Sequence, residues 1–184
     1  MAFDGTRKAL KRLANTNPID LGASHIVSNL KNESDRSVIV LLGSIIEDCL
    51  KRRIEEKLTG LAGEKDSFFD FNGVAGTFSS KIMLAKALEI IDPNTRNRLD
   101  LLREMRNCSA HATENVTFSK QEMLDAAILF APDEAQNAMK GMETQNLRNS
   151  FILICTAMIA QIDGDGGTDA MEQAISMIKV AGTP

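Results

Sequence analysis

The chain has 184 residues, 43% of them hydrophobic and 25% charged, enough for one domain with a real core. Its net charge of −4 and the absence of Trp and Tyr do not resemble a dedicated duplex-DNA binder, and an apolar set of Ala, Leu, Ile and Met favours helix packing over sheet. Cys49, Cys108 and Cys155 are odd in number and widely spaced, without CxxC spacing. They read as small core residues of a cytoplasmic protein rather than a disulfide framework or zinc site.

Asp4 to Ala14 reads as a short basic helix, with Arg7, Lys8, Lys11 and Arg12 on a solvated face, ended by Asn15-Thr16-Asn17-Pro18. Asp20 to Lys31 is a second short helix, weakened by Gly22; its His25 has no Cys or second His near it and reads as an ordinary interhelical residue. Ser34 or Asp35 then caps a long helix to about Leu58. Its apolar positions, Val38, Leu41, Leu42, Ile45, Ile46, Cys49, Leu50, Ile54 and Leu58, form a broad buried face.

Gly60 to Thr77 is irregular and carries Phe68, Phe69 and Phe71, which are expected to plug the end of a helical bundle. Ser79 to Ile91 follows as a helix. Asp92-Pro93 restarts the chain as N-cap and first helical residue, and that helix runs to about His111. Val116-Thr117-Phe118 leans towards an extended piece, and Ser119-Lys120-Gln121-Glu122 has the form of a capping box, opening a helix to Phe130. Pro132 ends it and a short helix follows from Asp133. A long, mostly buried helix spans Thr144 to Ile162, and after an Asp163-to-Gly167 turn Thr168 caps a last helix to Lys179. The Asp163-x-Asp165-x-Gly167-x-Asp169 spacing lacks the sixth-position Gly and terminal Glu of a calcium loop, so it reads as a flexible turn. The longest apolar run, Phe151 to Ile162, is too short to span a bilayer, and the N-terminus does not read as a signal peptide. The expected fold is all-α, a single-domain bundle of five or more helices: N-terminal short helices over 1–33, a core over 34–163, and a C-terminal helix over 164–184 packed on the core.

The chemistry concentrates in Arg106-Asn107-Cys108-Ser109-Ala110-His111. Arg103, Glu104, Asn107 and His111 form a polar stripe with Arg106 on its flank, while Leu101, Leu102, Met105 and Cys108 form the expected buried side. Arg106 and His111, five apart, are separated by about 140° around the axis. They meet only if the Arg stem reaches round, the helix frays, or two chains face each other. A His can move the protons of RNA cleavage, an Arg can clamp the phosphate, and an Asn can orient the imidazole; such a site needs no metal or cofactor. On the structural side, Arg106 has possible partners in Glu104, Glu47 and Asp48, and His111 can cap carbonyls.

Arg106-Asn107-x-x-x-His111 resembles the arginine–polar–spacer–histidine motif of the HEPN superfamily. Ser34-Asp35-Arg36-Ser37-Val38, Ile45 to Leu50, Phe71 to Ile82, Ala85-Lys86-Ala87-Leu88, Leu101 to His111 and Asn149-Ser150-Phe151-Ile152 resemble the mannitol-repressor-like (MltR) family, over about Ser34 to Asp163. The resemblance implies a helical fold, a homodimer, and a regulatory or RNA-targeting role of toxin or defence type. In catalytic members the residues matching Arg106 and His111 cleave RNA with both chains' motifs facing, supported by an acidic residue for which Glu47 and Asp48 are the candidates. An antitoxin would be the partner of such a ribonuclease; the alternative is a non-catalytic transcriptional regulator of the mannitol-repressor type acting through a regulatory protein partner. The chain shows no helix-turn-helix, and direct DNA binding is not expected.

Overall fold

The computed structural model describes residues 5–6, 8–10, 22–61, 63–164 and 167–182. Nine α-helices are labelled among them in chain order: α1 (Gly22–Leu30), α2 (Asp35–Lys57), α3 (Lys65–Phe69), α4 (Phe78–Ala87), α5 (Pro93–His111), α6 (Gln121–Phe130), α7 (Asp133–Met139), α8 (Thr144–Asp163) and α9 (Gly167–Ala181). No strand occurs among the described residues, so the architecture is all-α. The Asp4-to-Ala14 expectation lies largely outside the described residues, as do the Asn15-to-Pro18 stop, Arg7, Lys11, Arg12 and the side chain of His25; Gly5–Thr6 and Lys8–Leu10 are helical.

The long helix α2 is the axis of the bundle, packing against α8, α5 and α4, while α9 lies along α8. Ser34 caps α2 by accepting the Ser37 N–H at 3.1 Å, and Val38, Ile39, Leu42, Ile46, Cys49, Leu50 and Ile54 are buried. The buried face is narrower than the pattern suggested: Leu41 is exposed, and Ile45 and Leu58 are half-buried. At the other side of the core the Phe151 ring meets Phe118 and Phe130, each at 5.2 Å between centroids. Met171, Ala174 and Ile178 seal α9 onto the bundle. Among the described residues no helix is long and apolar enough to cross a membrane.

Several local expectations need correction. Helix α4 ends at Ala87 rather than Ile91. Glu89 adopts φ 56°, the Glu89 N–H bonds to Lys86 O at 3.2 Å and the Ile90 N–H to Ala85 O at 2.9 Å. This is a Schellman closure without the usual glycine, which is why composition did not signal it. Val116-Thr117-Phe118 is not a strand; Val116 and Phe118 are buried from an irregular segment. The capping box at Ser119 does not form: Lys120 is the N-cap of α6 and makes no side-chain capping bond, while Ser119 Oγ pairs with Thr117 Oγ1 at 2.6 Å. The last helix starts at Gly167, one residue before the expected cap. Asp163 sits in the last turn of α8 and receives Arg52 Nη2 at 2.9 and 3.0 Å, so it anchors helices rather than opening a turn.

Asp92 performs the capping expected of it. Its Oδ1 accepts the Asn94 and Thr95 N–H groups at 2.7 and 3.0 Å, and its Oδ2 accepts Thr95 Oγ1 at 2.6 Å. Partial burial works against the charge, but the hydrogen bonds outweigh it and hold the carboxyl below its ordinary 3.8. A depressed folded value means stability that is present above the unfolded value and lost as pH falls through the folded one. Asp92→Ala should therefore cost about 1 kcal/mol at neutral pH. In urea titrations the gap between variant and wild type should close as pH drops below 3.8. A gap independent of pH would rule out the charged cap.

Candidate functional site

Helix α5 carries the Arg–His stretch, and its environment is built by α2, α4 and the loop that precedes α4. Leu99, Leu102 and Met105 are buried and Leu101 is half-buried against the core. Cys108, placed on the buried side by spacing, is exposed instead, and Ser109 is the residue enclosed there.

Arg106 faces α2 and α4. Its Nη1 donates to Glu47 Oε2 at 2.5 Å, and its guanidinium lies 5.6 Å from the centroid of the Phe78 ring. The stem fits over Gly43; a Cβ added at Gly43 would come 3.0 Å from Arg106 Cδ. Glu47 has a second cation, Lys81 of α4, whose Nζ donates to Oε1 at 2.8 Å and to Gly76 O at 3.3 Å. The three charged side chains are 28% (Arg106), 16% (Glu47) and 7% (Lys81) exposed, so the cluster opens to solvent mainly at the arginine. Arg106 Nε and Nη2 have no acceptor among the described residues, and neither nitrogen is sealed from water.

Of the two acidic candidates on α2, the structure thus joins Glu47 to Arg106. Asp48 is exposed and forms no hydrogen bond or ion pair among the described residues. Partial desolvation first, and the Glu47 charge second, push its carboxyl above the ordinary range, with Lys51, Lys81 and Arg52 opposing them. Arg103 pairs along its own helix with Glu104 at 2.6 Å and Asp100 at 3.8 Å. Asn107 and His111 are exposed and make no hydrogen bond or ion pair among the described residues. Arg106 and His111 therefore share no hydrogen bond within one chain.

The end of α5 is nevertheless fixed. Arg36 of α2 donates through Nη2 to Ala112 O at 2.8 Å and to Glu114 O, holding the C-cap residue and the chain just beyond the helix. Cys108 and Ala112, which flank the end of α5, line a cavity of about 380 Å³ together with Val116, Met123, Glu114 and Lys120; His111 is not among its lining residues.

The loop before α4 delivers Phe78 and Lys81. Backbone bonds from Ala75 N to Phe68 O at 3.0 Å and from Gly76 N to Gly73 O at 3.1 Å fold it tightly. A Cβ at Gly76 would lie 2.2 Å from Asp70 O, so no other residue fits there without moving backbone. Of the three rings expected to plug the bundle, Phe68 and Phe69 are half-buried in an edge-to-face pair at 5.1 Å, whereas Phe71 is 84% exposed.

Lys81 and Phe78 were missed as site residues by sequence reasoning. A signal was present: Phe78, Lys81, Ile82 and Ala85 occupy one stripe at helical spacing, and all four are buried, so a lysine stood in an otherwise apolar face. No cluster of three or more His, Cys, Asp or Glu among the described residues is placed to hold a metal ion. Compared with known proteins, the chain matches no family model, no curated protein and no solved structure.

Proposed function

We propose that this chain is a HEPN/MltR-like helical regulator that cleaves RNA without a metal, with Arg106 binding the phosphate, His111 transferring the proton and Asn107 orienting the imidazole. The observation that carries this reading is the state of Arg106. It is held by one carboxylate oxygen and one aromatic face, yet keeps two nitrogens free towards solvent, as a preorganised oxyanion clamp requires. His111 stands exposed on the next stretch of the same rigid helix, and its near neighbours in sequence, Cys108 and Ala112, line a hollow of a size that suits small ligands. In-line cleavage would take the 2′-OH proton, form the 2′,3′-cyclic phosphate and release a 5′-OH. Two copies with facing helices would bring an Arg106 of one chain to the His111 of the other, which one chain's geometry does not do.

A second reading has its own support. Glu47 offsets the Arg106 charge, and the rigid 70–77 loop presents Phe71 and Val74, 84% and 74% exposed, to solvent. Together these suit a non-catalytic regulator that docks a protein partner.

Purified protein incubated with total RNA in EDTA separates the two. The ribonuclease reading expects products ending in 2′,3′-cyclic phosphate. RNA left intact by a folded protein, across a range of RNA and protein concentrations, would overturn it in favour of the second.

A further inference from the structure

We infer that Lys81 is a positioning residue for phosphate recognition, keeping Glu47 from occupying the guanidinium fork of Arg106; the inference rests on the RNA-binding reading above and deepens it. An isolated Arg–Glu pair is self-satisfied. A carboxylate presents two oxygens at the spacing of two guanidinium N–H groups, and the bidentate arrangement is the strong one. An arginine locked in that way has no edge left for a phosphate, and its charge is cancelled.

The geometry around Glu47 prevents this. Lys81 Nζ holds Oε1 at 2.8 Å, so only Oε2 reaches Arg106, and it reaches a single nitrogen, Nη1. Nε and Nη2 remain for another oxyanion. The charge count agrees, since one carboxylate shared by two cations leaves one positive charge. That charge emerges at Arg106, because Lys81 is 5% exposed and enclosed among Phe78, Ile82 and Ala85. Asp48 also feels the Lys81 charge, together with Lys51 and Arg52 on its own helix, but forms no ion pair with any of them among the described residues.

A lysine in this place is costly on stability grounds alone. A buried ion pair gives little net gain over well-packed apolar residues, and an apolar side chain would suit the stripe on α4. Gly76 O, which Lys81 also contacts, is fixed by the tight loop, so the ammonium has a second anchor that sets its position. The ligand class this predicts is a phosphodiester backbone, read by charge and by a planar fork rather than by base identity.

The test is binding of a short 2′-O-methyl oligoribonucleotide, which lacks the attacking hydroxyl, followed by fluorescence anisotropy over a salt series. Lys81→Met should raise Kd about tenfold and flatten the slope of log K against log salt by about 0.7, one phosphate contact on a single strand. Lys81→Arg should stay near wild type. Adding Glu47→Gln to Lys81→Met should restore binding, since an amide no longer competes as an anion for the fork; a merely structural role for Lys81 would show no such rescue. Circular dichroism melts establish that each variant is folded, and should Lys81→Met not fold, Lys81→Gln is read in its place with the same expectation. Wild-type affinity and slope in the Lys81 variant, with binding weakened in Arg106→Ala, would overturn the role of Lys81 and leave the RNA reading standing. Wild-type protein that binds no more tightly than Arg106→Ala would overturn both.

Discussion

His111→Ala is expected to lower RNA cleavage by roughly 10²–10⁴-fold, the usual worth of a positioned general acid or base. The unfolding midpoint should stay where it is. The side chain is exposed and makes no hydrogen bond or ion pair among the described residues, and the chain just past α5 is held by Arg36 through Ala112 O. Nothing in the fold depends on the imidazole, so a loss of activity at constant stability assigns chemistry to it. Arg106→Ala should also abolish cleavage, but it strips Glu47 of one of its two cations and a contact from Phe78, so its melting temperature should fall as well. If the site is composed across two chains, mixing the two inactive variants should recover a fraction of the activity. A His111→Ala protein that cuts RNA at the wild-type rate would sink the assignment.

Arg148→Ala is expected to cost about 3 kcal/mol of stability, as removal of one member of a buried ion pair does. Arg148 is 7% exposed on its side chain and its partner Asp35 16%. Arg148 Nε donates to Asp35 Oδ1 at 3.0 Å, and Nη2 donates to Leu30 O and Glu33 O, both at 2.8 Å. The other Asp35 oxygen accepts the Phe118 N–H at 2.9 Å. One guanidinium therefore ties α8 to the end of α1 and the start of α2, and Asp35 carries the link on to the segment that follows α5. Its removal leaves Asp35 Oδ1 and Glu33 O without their donor, while Leu30 O keeps the Glu33 N–H at 3.2 Å and Asp35 Oδ2 keeps the Phe118 N–H. Lysine should not rescue it, because a single ammonium cannot span the carboxylate and both carbonyls as the planar fork does. Urea denaturation of wild type, Arg148→Ala and Arg148→Lys measures this directly. A midpoint shift worth less than about 1 kcal/mol would show that the node is better solvated than its burial indicates.

The two nodes, Lys81–Glu47–Arg106 and Arg148–Asp35, divide the work on α2. The N-terminal half of that helix is fastened by Asp35 and Arg36, which also set the end of α5 where His111 emerges. The middle turn presents Gly43 and Glu47 to Arg106. A carboxylate and a glycine one turn apart on the same helix thus aim the arginine, while a different arginine on that helix fixes the backbone beside the histidine. Positioning both from one rigid element is what a site with sub-ångström tolerance needs.

Much of the architecture was legible from residue order alone. Ser34 and Asp92-Pro93 marked two helix starts because capping is a local hydrogen-bonding matter, settled within four residues. The extents of α2, α5 and α8 followed from the 3.6-residue period of apolar side chains, and Pro132 separated α6 from α7 by its missing N–H and fixed φ. The Arg106–His111 spacing could be read, and so could Glu47 as one of the partners open to Arg106. Where the chain's own residues did not carry the usual local sign, the reading failed: the turn at Glu89 has no glycine, and Ser119 formed a side-chain bond other than the cap its pattern suggested.

Only the tertiary structure decided which face of each helix is covered. Cys108 and Leu41 are apolar at helical spacing yet exposed, because burial depends on where α2 and α5 meet and not on the period of either one. Lys81 to Glu47, Arg106 to Glu47, Arg36 to Ala112 and Arg148 to Asp35 join positions 34, 59, 76 and 113 residues apart. A charged side chain gives no sign in sequence of which distant carboxylate it will meet, since that pairing is fixed by the packing of the apolar faces between them. The sequence determined the helices and supplied the Arg–His stretch; the crossing of α2 with α4 and α5 determined that the arginine is held by one carboxylate oxygen, with a buried lysine holding the other.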